Sequence, residues 1–173
     1  MKRKRQKTKF EKFQDAVNAF FGKFTFGIDY WALGLFGVLM LPNIVWWCFS
    51  PANDVLRYIN SPAALDVFSY IFQALTLAVL VFVVRRDRVG QKVEPWTAFF
   101  TFTVMSLILY YVAWIFYFCA YVNIAVVLFL AIFPCTALGC FAFLRKNWIA
   151  LFPLVIFTAL HLSFAIPIAV ALV

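Results

Sequence analysis

Five long apolar runs dominate this chain, and only short polar stretches separate them. The runs cover residues 30–48, 64–84, 96–118, 123–144 and 148–170. Each is close to the ~20 residues that carry a helix across ~30 Å of hydrocarbon at a rise of 1.5 Å per residue. The stretch SPANDVLRYINSPAALD after the first run holds two Ser-Pro pairs and Asn/Asp clusters, which is loop chemistry. RRDRVGQKVEP follows the second run, a tight turn around residues 120–122 follows the third, and RKN follows the fourth. The pattern predicts an all-α integral membrane bundle of five transmembrane helices over residues 27–173.

A different pattern precedes them. After the basic tail MKRKRQKTK, the apolar residues Phe10, Phe13, Val17, Phe20, Phe21 and Phe24 recur at helical spacing and share one narrow arc. Lys12, Asp15, Asn18, Ala19 and Lys23 occupy the opposite side. Phenylalanine on one face and lysine on the other predict an amphipathic helix lying in the membrane interface, so residues 1–26 form a basic tail and interfacial segment. A basic start followed by an apolar run also describes a signal peptide. Here the basic segment is long, the run is a full span and Ser50-Pro51-Ala52 is a poor cleavage site, so the first run is expected to be retained.

Composition agrees with lipid as the solvent. The chain is 66% hydrophobic and 13% charged, against about half and a quarter in soluble domains. A net charge of +8 can signal nucleic-acid binding, but its placement here does not. Eight of the 15 Lys and Arg precede residue 24, Arg85, Arg86, Arg88 and Lys92 lie in the second connection, and Arg145 and Lys146 lie in the fourth. Those segments share one side, and only Arg57 lies on the other. The positive-inside rule then puts the N-terminus in the cytoplasm and the C-terminus outside, with a bacterial plasma membrane as the expected site and anionic lipid at its cytoplasmic face. Trp31, Trp96 and Trp148 are expected as anchors at the cytoplasmic ends, and Trp46, Trp47, Tyr117 and Tyr121 at the outer ends.

Candidate chemistry is sparse. No Asp, Glu, Lys or Arg lies in the middle of a span, which speaks against a proton pump or voltage sensor. Neither a carboxylate pair nor a serine with a base partner stands out, so no enzymatic activity is expected. With one histidine and no C-x-x-C pair, no metal or cofactor is expected either. Cys48 and Cys119 fall near the outer ends of their spans, Cys135 and Cys140 within the fourth. A quinone-linked disulfide-generating enzyme would need paired thiols in an exposed loop.

Polar residues do recur at mid-span. Asn43, Gln73, Tyr110 (with Ser106 nearby), Thr136 and His161 lie near the centres of successive runs. Unpaired amides in hydrocarbon cost several kcal/mol, so these groups are expected to turn inward as a polar layer. Pro42 removes the N–H that would serve the carbonyl of Val38, and the adjacent Asn43 is a candidate donor to it. Ala131, Cys135 and Gly139 put small residues on one face of the fourth run, a packing motif that joins spans within a chain or between two chains. Ala159 with Ser163, and Ala165 with Ala169, repeat that spacing in the fifth.

Pro42-Asn43 resembles the Pro-Gln dipeptide of PQ-loop transporters, but the second three-helix unit of that family is missing, and five spans do not divide into equal halves. Size and hydropathy are similar to substrate-binding subunits of energy-coupled vitamin transporters, which have six spans. The expected function is non-enzymatic binding of a partner protein or a small apolar ligand in the membrane. A small transporter or transport subunit acting as a homo-oligomer is the alternative.

Overall fold

The computed structural model describes residues 19–57 and 63–172, together with Lys9, Lys12 and Asp15. Five long helices carry the fold: α1 (Tyr30–Cys48), α2 (Ala63–Phe82), α3 (Ala98–Phe118), α4 (Ile124–Leu144) and α5 (Trp148–Ala171). All five are long and apolar enough to cross a membrane, the architecture of a multi-pass membrane protein. Each runs opposite to the last because its connection is short. Asp29, Thr97, Asn123 and Asn147 cap the N-termini of α1, α3, α4 and α5, each side chain accepting from a backbone N–H of the first turn.

The packing is uneven. α4 lies between α3 and α5, and α2 packs along α5. α1 closes the ring more sparsely, through α2 and α3. The buried core takes Leu35 and Leu39 from α1, Leu80 from α2, Trp114 and Tyr117 from α3, Leu138 and Phe141 from α4, and Phe157 from α5. Large apolar side chains such as Leu41, Ile71, Ile108, Phe152 and Val155 face outward, as lipid contact requires. The small face of α4 is spent inside the chain: Ala131 and Cys135 are buried, and a Cβ on Gly139 would meet Leu154 of α5 at 3.5 Å. On α5, Ala159 and Ser163 are exposed whereas Ala165 and Ala169 are buried.

The basic end departs from an all-helical bundle. β1 (Phe24–Phe26) pairs antiparallel with β2 (Val83–Arg85), Phe24 opposite Arg85. Val83 and Val84, expected to finish the second span, are therefore strand. Phe24 is also not on the lipid face of an interfacial helix; it is buried in β1. The chain turns at Gly22 and Lys23, and the Phe-Thr-Phe alternation that follows suits a strand. Phe10, Phe13 and Val17 lie outside the described residues. Lys12 is helical and exposed, Phe20 and Phe21 are helical and exposed, and Lys23 is exposed in the turn.

A buried ion pair locks this end. Asp29 accepts from Trp31 N at 3.0 Å and Ala32 N at 3.3 Å through Oδ1, and its Oδ2 takes the Nε–H of Arg145. The remaining Arg145 nitrogens donate to the carbonyls of Gln91 at 3.2 Å and Arg88 at 3.0 Å. Asn147 donates to the carbonyls of Val79 at 3.1 Å and Val83 at 2.7 Å, while the N–H groups of Asp29 and Gly27 serve Val81 and Phe82. Three carbonyls at the end of α2, those of Val79, Val81 and Phe82, are thereby satisfied where water is scarce. Arg145, one of the two basic residues of the fourth connection, is 5% exposed.

The opposite end is closed by residues 49–57. Asp54, also buried, accepts from the Trp46 indole at 3.0 and 3.1 Å, from the Tyr117 hydroxyl at 2.8 Å and from Arg57 at 3.2 Å. Trp46 and Tyr117 thus turn inward to Asp54 and do not act as interfacial anchors. Trp47 and Tyr121 remain exposed.

Candidate functional site: an intramembrane polar cavity

All five helices wall a cavity of about 390 Å³, and Leu56 contributes from the closing loop. Four of the polar residues expected at mid-span, Asn43, Gln73, Tyr110 and His161, line it. Counted from the basic end of each helix at 1.5 Å per residue, these four and Ser69 fall at roughly 14–20 Å, one layer near the middle of the bundle. Below them, at roughly 8–9 Å by the same count, Phe36, Leu77 and Leu138 make an apolar floor. Trp46 and Trp114 stand about one turn above the layer.

One side of the layer is internally paired. Asn43 Nδ2 donates to the Tyr110 hydroxyl at 2.7 Å and to the Leu39 carbonyl at 2.9 Å. The carbonyl of Val38, which Pro42 deprives of its helical donor, is not served by Asn43. The hydroxyl of Tyr111 reaches it from α3 at 2.6 Å. The defect in α1 thus becomes a cross-helix bond, and successive tyrosines hold α1 where its other contacts are few.

The other side is unpaired. Gln73, Ser69 and His161 make no hydrogen bond with the described residues, and His161 is held by stacking on Phe157 at 5.1 Å between centroids. Trp114 is 4% exposed, and its indole N–H is the one fully buried side-chain polar atom without a partner among the described residues. The Tyr110 ring stands edge-on to the indole at 6.2 Å between centroids, and its hydroxyl, which accepts from Asn43, is the nearest polar neighbour of that N–H without forming a hydrogen bond of normal geometry. On α4, Pro134 lines the cavity and leaves the carbonyl of Leu130 without its i+4 donor.

Thr136 does not join the layer. It is exposed, and its hydroxyl donates to the Ile132 carbonyl of its own helix at 2.9 Å. A threonine satisfies itself in this way and so tolerates a lipid-facing position, which an amide does not. Among the described residues no group of three His, Cys, Asp or Glu is placed to hold a metal ion. All four cysteines are free. Sequence reasoning missed Trp114, whose burial depends on helix order, and Ser69, which lies off the exact mid-span.

No protein-family model, curated protein or solved structure matches this chain.

Proposed function

We propose that this protein is a non-enzymatic membrane protein that holds a small, largely apolar ligand inside the bundle. The observation that carries the reading is the cavity, walled by all five helices near mid-depth, with an apolar floor and unpaired polar groups on one side. Its 390 Å³ falls in the ~300–1,000 Å³ range of small-molecule sites. A bundle built only for packing would pair its amides across helices, as Asn43 and Tyr110 do. A small ligand is favoured over a partner protein because the unpaired groups face inward, while the outward faces are apolar. Binding is favoured over catalysis because His161 rests on Phe157 and, among the described residues, has no hydrogen-bond partner to orient it as a base.

The same proposal seats the protein in a bacterial plasma membrane, with its N-terminus in the cytoplasm and its basic end against anionic lipid. Fourteen of the fifteen Lys and Arg lying in segments at that end support the orientation. Native mass spectrometry of the full chain, released from mild detergent, tests the binding reading. A single small-molecule adduct per chain is expected, and Ser69→Phe, which fills the cavity from its wall, is expected to remove it. A bare chain under conditions that retain bound lipid on control membrane proteins contradicts the reading.

A further inference from the structure

Resting on the cavity as a ligand site, we infer that its occupant is an uncharged amphiphile whose head both donates and accepts hydrogen bonds, an amide- or alcohol-type group on a single apolar chain. Among the described residues, the cavity lining contains no Lys or Arg. An anionic head would enter low-dielectric surroundings with no cation to meet it, at a large desolvation cost. A cationic head fares no better. Asp66, the one carboxylate among the described lining residues, stands about two turns above Gln73 and is already engaged in another contact.

The unpaired groups specify the head. The Trp114 N–H is sealed within the wall and stays out of the ligand's reach, so Gln73 and Ser69 set the polar end of the site. Gln73 offers two donors and an acceptor, and Ser69 offers one of each. The Leu130 carbonyl, freed by Pro134, asks for a donor. A head with an acceptor alone, such as a simple ketone, would leave that carbonyl unserved, and an alkane would leave them all so. The apolar floor at Phe36, Leu77 and Leu138 then takes the chain, directed toward the basic end.

The test uses the full chain in detergent and four probes of matched length: decanamide, decanoate, decylamine and undecane. Native mass spectrometry titrations read the adducts. Decanamide is expected to saturate at one molecule per chain, with decanoate and decylamine weaker by about tenfold or more, as expected for unpaired charge in a dry site. Gln73→Leu and Ser69→Ala are each expected to weaken decanamide about fivefold, the loss of one hydrogen bond, and to leave undecane unchanged. Thr136→Val, on the outward face, is the control. If Gln73→Leu does not fold, Ser69→Ala alone decides. Decanoate or undecane binding as tightly as decanamide would overturn the inference while leaving the cavity a ligand site. If none of the probes saturates and the protein also carries no native adduct, both this inference and the binding reading fall.

Discussion

Pro42 creates a local problem that a residue on another helix solves. The Val38 carbonyl would otherwise sit unserved near hydrocarbon, and the Tyr111 hydroxyl reaches it. Tyr111→Phe is therefore expected to lower stability by about 1 kcal/mol, read from unfolding titrations of the purified protein in mixed micelles. Asn43→Leu should cost a similar ~1 kcal/mol by breaking the bond to Tyr110, whereas Thr136→Val should stay within ~0.5 kcal/mol. A Tyr111→Phe protein as stable as the parent would remove the cross-helix bond from this account. That Asn43 turns inward was legible, because an amide cannot face lipid cheaply. Its partner was not. Tyr110 and Tyr111 are adjacent, point about 100° apart on a helix, and serve different carbonyls only once α3 has been placed beside α1. Thr136 misled for a related reason, since residue type and depth do not say whether a hydroxyl is satisfied by its own helix.

The helices themselves were almost fully written in the apolar pattern, with ends that agree within two residues. Their terminal chemistry was not. Asp29 and Arg145 sit at the edges of separate spans, 116 residues apart, and look like ordinary interfacial charges until the fold buries them together. Arg145→Met is expected to destabilise by about 3–5 kcal/mol, because it strands a buried carboxylate. Adding Asp29→Asn, which keeps a capping oxygen, should recover most of that loss in the same unfolding titration. Equal damage in the single and double variants would mean that the pair is not coupled. At the N-terminus, the sequence supports a separate element-scale expectation. A peptide of residues 1–26 should gain helicity on anionic vesicles and lose binding in high salt, since each basic residue near such a surface contributes ~1 kcal/mol. Equal binding to neutral vesicles would refute the electrostatic part. Within that segment Phe24 belongs to β1, where pairing with Arg85 ties the N-terminal region to the loop between α2 and α3.

At the scale of the molecule, the clamp at the basic end and the Asp54 cluster at the other bracket a mid-bundle cavity against which α1 packs most lightly. The polar layer could be anticipated from depth alone; the cavity could not, because it depends on which helices are neighbours and how closely α1 approaches. Orientation in the membrane has its own test. A reporter active only outside the cytoplasm should work when fused after Val173 or near Asn60 and fail near Gly90, and activity at Gly90 would invert the proposed topology. The central claim, a ligand held at mid-depth, is tested most directly by photocrosslinking in living cells. A diazirine amino acid replaces Gln73 in one strain and outward-facing Thr136 in another, and the irradiated full chain is weighed intact. The account predicts a discrete small-molecule adduct from position 73 that position 136 does not give. The same mixture of bilayer lipids at both positions, or only water addition at 73, would contradict it.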